Sequence, residues 1–271
     1  MTAGSRSGRI FAGVGGWTYE PWRGVFYPET LPQKRELEFA SRQLTAIEIN
    51  GTFYRTQSPD SFRKWAAETP EGFMFTVKAH RMATSRKTAA EMKDSIDWFL
   101  NSGVTELGDK LGPINWQFPP YRRFEAEYFE AFLGQLPHEL NGRPLRHALE
   151  VRHPSFETAA FVDLLRRHDV AVVFTDAEDW PTIPDPTTDF IYARLQRTKE
   201  EVETGYTAEE LDFGASCMRA WAVGGTPPAL PPVSPEPAPV MARDVFAFMI
   251  SGAKVRAPAA AMAMIERVGW P

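Results

Sequence analysis

The chain has 271 residues and a formal net charge of −5, with 43% apolar and 24% charged residues. This composition is ordinary for a folded globular protein. The acidic balance argues against bulk, non-specific binding of nucleic acid, although it is compatible with a local basic groove. Cys217 is the only cysteine, which excludes a disulfide framework and a cysteine-rich zinc site. Its helical apolar surroundings predict a buried position rather than a nucleophile.

No segment has the composition of a membrane anchor. The first nine residues are polar, and no apolar run of signal-peptide length follows them. The apolar runs fall short of the roughly 18 to 20 residues that cross a bilayer. We therefore expect a cytoplasmic protein with no membrane partner.

Eight strand-like runs alternate with helical patterns along the chain. The runs lie at residues 10–14, 46–50, 72–80, 111–118, 147–154, 170–176, 189–195 and 244–250. All but the sixth are followed by a helical segment; after the sixth there is only an irregular stretch at 180–186. This alternation predicts a parallel sheet, and eight units in a chain of this length fit a closed (β/α)8 TIM-like barrel, which typically takes roughly 250 residues. An open doubly wound sheet is the alternative, but the glycines at 13–16 match its phosphate-binding turn poorly.

Residues 1–271 are therefore predicted to form one barrel domain. Residues 224–240 interrupt the alternation between the seventh helix and the eighth strand, and seven of them are prolines. This composition predicts a flexible, extended or disordered surface loop. Docking of a partner's proline-binding domain is the alternative.

Polar residues recur at one parity of the predicted strands. Barrel strands alternate between the interior and the surrounding helices, so these residues share one face. They are Glu48, Asn50, Thr76, Lys78, His80, Asn115, Gln117, Glu150, Arg152, Arg194 and Gln196. We expect Asp176, at the end of the sixth strand, to join them. Because active sites of such barrels lie at the carboxyl ends of the strands, the pattern predicts a site there.

Buried charges at this end must pair or bind something polar, since an isolated one costs several kcal/mol. One interpretation is a self-satisfied ion network, in which Lys78, Arg152 and Arg194 neutralise Glu48 and Glu150. The favoured interpretation is a ligand site built on that network, because the polar residues cluster at strand ends.

The residue types suggest two kinds of chemistry. Glu48 and Glu150 are candidate general acid and base, or acid and nucleophile in glycoside cleavage, and Lys78 is a third catalytic candidate. The three cations favour a small anionic substrate, phosphorylated or sugar-like; they are Lys78, Arg152 and Arg194. Metal ligands are also present (Glu48, His80, Glu150, His153 and Asp176), but the interleaved cations would repel a divalent metal, so we expect neither a metal nor another cofactor.

Further residues are predicted to surround the substrate. Those expected to bind or cover it are Asn50, Tyr54, Gln117, His153, Asp176, Trp17, Tyr19 and Trp22. Ser251, Gly252 and Lys254 precede a helix and are predicted to bind phosphate, with a solvated basic loop as the alternative. His138, His147 and His168 are predicted to be surface or loop residues.

Several stretches together match the pattern of one family. They are Gly15-Gly16-Trp17-Thr18-Tyr19 with Trp22, Gly24 and Phe26-Tyr27-Pro28; Glu48-Ile49-Asn50 with Thr52-Phe53-Tyr54-Arg55; Trp65 with Thr69-Pro70; Phe75-Thr76-Val77-Lys78; Gln117-Phe118-Pro119-Pro120; Glu150-Val151-Arg152-His153-Pro154-Ser155; and Asp189-Phe190-Ile191-Tyr192-Ala193-Arg194-Leu195. Through them the chain resembles, almost from end to end, the YecE-like family, also called domain of unknown function 72. The resemblance implies an eightfold barrel and no particular reaction.

The chain also departs from that family's pattern. Members often carry His-Gly after the Arg-Leu of the seventh strand, an Asn-rich acidic turn after the eighth, and a Thr-His pair after the lysine of the third. Here these places hold Gln196-Arg197, Met249-Ile250-Ser251-Gly252 and Thr84-Ser85. The departures remove imidazoles and favour an anion site.

Three functional hypotheses follow. The first is an enzyme, a hydrolase or a lyase or isomerase, acting on a small anionic compound. The second is a nuclease-like protein that binds nucleic acid, with bases stacked on the aromatic loops at 17–23 and 53–55. The third is a non-catalytic metabolite sensor that signals through the proline-rich segment.

Overall fold

Eight parallel strands close into a barrel in this protein. The structure is a computed structural model that describes residues 7–271. The strands are β1 (Ile10–Gly15), β2 (Ala46–Ile49), β3 (Met74–Lys78), β4 (Leu111–Gln117), β5 (His147–Glu150), β6 (Ala171–Thr175), β7 (Phe190–Leu195) and β8 (Asp244–Met249). They lie in chain order, and β1 closes the barrel by pairing with both β2 and β8. The predicted (β/α)8 barrel is confirmed.

Helices connect the strands on the outside of the barrel. They are α1 (Glu36–Ala40), α2 (Pro59–Glu68), α3 (Ala89–Leu100), α4 (Ala126–Leu133), α5 (Ala159–Arg167), α6 (Ala208–Ala222) and α7 (Ala257–Val268). Short 3-10 helices lie at Glu20–Trp22, Gln33–Arg35, Gly51–Phe53, Val104–Lys110, Pro154–Phe156 and Lys254–Arg256, and a small hairpin pairs Glu139–Leu140 with Arg143–Pro144. As predicted, no helix follows β6 in the part of the chain described here.

Local sequence determines where the longer helices begin. The Thr88 side chain accepts a hydrogen bond from Glu91 N while the Glu91 carboxylate accepts one from Thr88 N, and Thr207 with Glu210 repeats this capping box. Cys217 is buried in α6, as predicted, and burial raises the pKa of its thiol to about 11. None of the helices within 7–271 is long and apolar enough to cross a membrane.

Apolar side chains fill the lower and middle parts of the barrel interior. They form a cluster separate from the larger core between strands and helices. Phe11 of β1 stacks on Phe246 of β8 with ring centroids 5.0 Å apart, and Phe190 meets Phe246 edge-on. Charged side chains lie at both ends of this apolar interior: Arg9 and Arg146 pair with Asp244 at the amino end of the strands, and a larger polar cluster lies at the carboxyl end.

The proline-rich segment at 224–240 contains no helix or strand and is anchored by hydrogen bonds to buried side chains. Arg243, 1% exposed, donates hydrogen bonds to the carbonyls of Gly224, Pro239 and Met241. The Asp185 carboxylate accepts bonds from the backbone N–H groups of Val233 and Ser234. The buried side chains of Arg243 and Asp185 thus form hydrogen bonds with backbone groups of the segment.

His147 is a core residue, and its prediction as a surface or loop residue is wrong. Its Nδ1 accepts a hydrogen bond from Trp116 Nε1 at 3.0 Å, so Nε2 carries the proton and donates to Pro137 O at 2.8 Å. Burial lowers its pKa to about 4. The ring is therefore neutral at physiological pH. His138 is exposed, and His168 lies near the surface, where it contacts Glu130.

Candidate active site

A buried guanidinium joins two carboxylates across the upper barrel. Arg194 of β7 donates from Nη2 to Glu48 Oε1 at 3.0 Å and from Nη1 to Glu150 Oε2 at 2.6 Å. The three residues are at most 3% exposed. β2, β5 and β7 are not neighbours in the barrel, so these contacts cross its interior, as the polar parity predicted.

Three further side chains complete this cluster. Tyr192 donates to Glu48 Oε2 at 2.5 Å, and Thr76 Oγ1 lies 2.8 Å from the Tyr192 hydroxyl. Asn115 Nδ2 lies 3.4 Å from Glu48 Oε2 and 3.2 Å from Glu150 Oε2. Burial and the neighbouring Glu48 carboxylate raise the pKa of Tyr192 well above its usual range, so it is a permanent donor. Sequence reasoning missed Tyr192, although it shares the parity of Arg194.

Arg152 extends the cluster to the rim. Its Nε and Nη2 donate to Glu150 Oε1 at 2.9 and 2.7 Å, and Nη2 also donates to Gln117 Oε1 at 2.9 Å. The guanidinium lies 4.9 Å from the centre of the Trp180 ring. Within 7–271, Arg152 Nη1 has no hydrogen-bond partner.

Glu150 is an ionised carboxylate at any physiological pH. Burial alone would raise its pKa, but the charges of Arg194, Arg152 and Lys78 outweigh burial and hold the pKa at about 2. A carboxyl group needs a pKa near the working pH to act efficiently as an acid or base. A carboxylate that stays ionised is disfavoured as the general acid predicted for Glu150. Glu150 instead accepts hydrogen bonds from Arg152 and Arg194.

Lys78 differs from the two arginines. It ends β3 on the interior face and is 8% exposed. Its ammonium lies 4.3 Å from the centre of the Phe53 ring, and among the described residues it has no carboxylate within 4.0 Å. Burial is the main cause that lowers its pKa to about 8; Arg194 and Arg152 lower it further, while Glu150 and Glu48 oppose them.

The first loop was predicted to cover the cluster, but its aromatic side chains do not lie over it. Trp22 is fully buried and donates from Nε1 to Lys254 O at 2.8 Å. Trp17 packs edge-on against Trp65 of α2. Tyr19 meets Trp22 edge-on and lies beneath the Lys254 ammonium. These aromatic side chains therefore pack against one another and against the helix layer.

Asp176 lies apart from the cluster, which corrects its predicted place. Its Oδ1 accepts from Gln196 N at 2.6 Å and its Oδ2 from Tyr206 OH at 2.8 Å. It lines a cavity of about 320 Å³ between the strands and α6, together with Phe174 and Leu195. The side chain of Asp176 lies on the same side of the strand as Phe174, whereas the side chain of Thr175 faces the barrel interior.

The other predicted ligand contacts are spread around the mouth. Asn50 lies beside Gly15, where a Cβ would come within 2.4 Å of Asn50 Nδ2, and its Oδ1 is buried without a hydrogen-bond partner among the described residues. Tyr54 is 70% exposed on the rim. His153 Nδ1 accepts from Ser155 N at 3.1 Å and caps Pro154–Phe156, so only its Nε2 remains for a ligand.

The predicted phosphate loop is tied to the loop after β7. Gly252, with a φ of +78°, pairs with Thr198, and Ala253 N donates to Thr198 O at 2.8 Å. Ser251 Oγ donates to Gln196 Oε1 at 3.2 Å. Lys254 lies over Tyr19 at 4.4 Å from the ring centre. A phosphate role for this loop stays a prediction.

The candidate metal ligands are not assembled. Within residues 7–271, no group of three or more His, Cys, Asp or Glu side chains could hold a metal ion. His80 Nε2 contacts Tyr54 O at 3.1 Å, and its Nδ1 accepts from Met82 N. Glu48 and Glu150 are instead engaged by Arg194.

A cavity adjoins the cluster at the barrel mouth. It measures about 420 Å³ and is lined by the segments after β2, β3 and β4, including Phe53, Arg81, Gln117 and Tyr121. Phe53 lies under Lys78, and Gln117 accepts from Arg152. A larger cavity of about 1010 Å³ lies at the opposite end of the barrel, away from the polar cluster.

A closed eight-stranded barrel with charged side chains at the carboxyl ends of its strands defines a (β/α)8-barrel protein of the kind that carries sites at that face. The chain belongs to the family described as "Protein of unknown function DUF72", whose sequence profile matches residues 11–271. The predicted family resemblance is thereby confirmed.

Two curated relatives share this sequence pattern. UPF0759 protein YunF of Bacillus subtilis (strain 168) is 28% identical over 63% of this chain, and UPF0759 protein YecE of Escherichia coli (strain K12) is 25% identical over 54%. The matched part spans only 58% and 50% of the two relatives' lengths.

Solved structures share the fold. A DUF72 family protein from Thermotoga maritima superimposes with a TM-score of 0.70 at 22% identity, covering 96% of this chain and 98% of its own. D-Psicose 3-epimerase from Clostridium cellulolyticum H10 has a TM-score of 0.54 at 12% identity, covering 96% and 95%. At these identities the likeness extends to the fold alone.

Proposed function

We propose that this protein is an enzyme that acts on a small anionic, sugar-like compound at the barrel mouth. The observation that carries the proposal is the charge of the buried cluster. Lys78, Arg152 and Arg194 are three cations facing two carboxylates, Glu48 and Glu150, which leaves one positive charge when Lys78 is protonated. Such an excess in a partly desolvated site attracts an anion.

The donors left over at the mouth suit this substrate. Both Nη atoms of Arg194 donate to the two glutamates. The groups that bind the anion in this proposal are therefore Nη1 of Arg152 and the ammonium of Lys78. A guanidinium with an unpaired N–H group is well matched to carboxylate or phosphate oxygens. Glu48 and Glu150 then act chiefly by holding these cations in place.

Unpaired polar atoms favour a substrate with hydroxyl groups. Arg194 Nε is a buried donor, and Asn50 Oδ1 and Asn115 Oδ1 are buried acceptors; none has a hydrogen-bond partner within 7–271. Buried groups of this kind are rare and cost free energy. A hydroxyl both donates and accepts, so it can satisfy either kind after small side-chain shifts. D-Tagatose, present in the epimerase structure, is a compound of this class.

Calorimetric titration with sugar phosphates tests the proposal. Wild-type protein is titrated with dihydroxyacetone phosphate, D-fructose 6-phosphate and their unphosphorylated parents. We expect the phosphorylated compounds to bind more tightly, and Arg152→Gln to weaken their binding by about tenfold or more, since a charged hydrogen bond contributes about 1.5–3 kcal/mol.

Arg167→Gln is the matched control. Arg167 is an exposed arginine on α5 whose Nη2 pairs with Glu130. We expect it to bind like wild type. Failure of every phosphorylated compound to bind wild-type protein, or equal binding by the two arginine variants, would refute the proposal.

A second candidate function is binding of single-stranded nucleic acid. It is supported by the rim, where Tyr54 and Tyr121 are 70% and 72% exposed and Arg55 and Arg81 are also exposed. Exposed aromatic rings beside cations can stack bases and contact phosphates. Fluorescence titration with labelled oligonucleotides at about 50 mM salt, where phosphate contacts are strong, tests it. An absence of binding under these conditions removes this candidate.

A further inference from the structure

We propose that Lys78 is a nucleophile that forms an imine with the carbonyl carbon of a small anionic aldehyde or ketone. This inference rests on the proposed function, which it deepens by naming the substrate class as a carbonyl compound bearing phosphate or carboxylate. In this inference Lys78 reacts covalently with the substrate instead of binding its anionic group, and Arg152 binds that group.

The position of the amine supports this role. Every other charged side chain of the cluster is held by hydrogen bonds, whereas Lys78 Nζ has no ion pair within 4.0 Å among residues 7–271. Its contact is the face of Phe53, which also lines the cavity at the mouth. The side chain projects from the end of β3 and is 8% exposed. Nothing in the described structure has to be broken before Nζ reacts.

The surroundings also bring the amine close to its reactive state. The charged groups facing Lys78 are Glu48 on β2, Glu150 and Arg152 at the end of β5, and Arg194 on β7. Burial and the two guanidiniums outweigh the carboxylates and place the lysine pKa at about 8. An exposed lysine has a pKa of about 10.4, so near pH 7.5 the neutral fraction of Lys78 is on the order of a hundredfold larger. Desolvated lysines with nearby cations are the ones that attack carbonyl groups.

The chemistry balances without any redox partner. The Nζ lone pair forms a bond to the carbonyl carbon, and the π electrons move to the oxygen, which takes a proton from nitrogen to give a carbinolamine. A proton from solvent then converts the hydroxyl into water. Water leaves as the nitrogen lone pair forms the C=N bond, which gives an iminium ion. One amine, one carbonyl and one proton thus yield one iminium and one water, and hydrolysis reverses the sequence.

The cluster suits the product of this step. The iminium carries the same single positive charge as the lysine ammonium, so the cluster keeps the excess positive charge that attracts an anion once the imine forms. Arg152 Nη1 remains available for the anionic group of the substrate. The site thus holds separate groups for the carbonyl and for the anion.

Reductive trapping tests the inference. Full-length protein is incubated with dihydroxyacetone phosphate, glyceraldehyde 3-phosphate or pyruvate, with dihydroxyacetone as the neutral comparison. Sodium borohydride then reduces any imine to a stable secondary amine, and peptide mass spectrometry locates it. We expect Lys78 to be labelled at least about tenfold more than Lys64, which is exposed, because of its larger neutral fraction. Labelling by dihydroxyacetone should be weaker because it lacks the anion.

Two variants and one parallel measurement make the result decisive. Lys78→Met should abolish the main adduct, while Lys93→Met, at an exposed lysine of α3 paired with Asp97, should leave it unchanged. The wild-type map decides even if Lys78→Met does not fold, since labelling of Lys78 no greater than that of Lys64 overturns the inference. Calorimetry with the same probes separates the two proposals. Binding without a Lys78 adduct refutes the imine alone, and absence of both binding and adduct counts against the proposed function as well.

Discussion

Arg194 and Glu150 lie on strands that are separated by β6, and the 2.6 Å hydrogen bond between them crosses the barrel interior. The same guanidinium reaches Glu48 on β2. One side chain therefore connects three strands at the level where the apolar interior ends, and its charge helps to keep the pKa of Glu150 low. Several consequences can be measured.

Removal of Arg194 should strongly destabilise the fold. Arg194→Met leaves Glu48 and Glu150 buried beside each other with less positive charge, and breaking a buried ion pair from one side typically costs about 3–5 kcal/mol. Urea unfolding followed by fluorescence measures the loss in free energy of unfolding. Arg35→Met, which removes an exposed pair with Glu38, should change it by about 1 kcal/mol or less. Equal effects of the two substitutions would contradict the central position of Arg194.

Glu150 should make stability depend on acid pH. Its folded-state pKa of about 2 lies below its usual value of 4.5, so the unfolded chain binds the proton more readily. The contribution is present above about pH 4.5 and is lost as the pH falls towards 2. Its size is about 3 kcal/mol. Between pH 5 and 2.5, the free energy of unfolding should fall more steeply for wild type than for Glu150→Gln. Parallel curves for the two proteins would show that Glu150 is not the group responsible.

Lys78 should also make stability rise with pH, in an alkaline window. Its folded-state pKa of about 8 lies below 10.5, so the unfolded chain binds more protons between these values and stability rises with pH across this window. Below pH 8 the buried ammonium costs free energy. Lys78→Met should therefore be more stable than wild type at pH 7, by about 1–3 kcal/mol, and the difference should disappear near pH 10.5. A variant that is less stable at pH 7 would show that Lys78 is a structural partner of the glutamates.

Arg243 should control the protease sensitivity of residues 224–240. Arg243→Met leaves the carbonyls of Gly224, Pro239 and Met241 without their donor, and each buried group left unpaired costs about 1–3 kcal/mol. Limited proteolysis with mass mapping should find faster cleavage within this segment than in wild type. Glu236→Gln changes an exposed side chain of the same segment and should not alter the rate. Rapid cleavage of wild type at 224–240 would instead support the flexible loop predicted from composition.

The sequence by itself determined the barrel and the direction of its polar side chains. Eight strands that alternate with helical segments, all but the sixth, fit a closed barrel better than an open sheet, and the two-residue period of a strand assigns Glu48, Lys78, Glu150 and Arg194 to the interior. The turn chemistry of Thr88 and Thr207 likewise located the starts of two helices. These features depend on residues that are close together in the chain.

Only the tertiary structure decided how these groups are paired. Arg194 binds both glutamates, Tyr192 joins them, and Lys78 is left without a carboxylate, because such contacts depend on distances between strands far apart in sequence. A shift of one residue beyond Thr175 turned Asp176 towards α6. In the same way, the packing of large aromatic rings removed Trp22 from the mouth, and long-range hydrogen bonds to buried charges anchored the proline-rich segment, neither of which composition or local spacing contains.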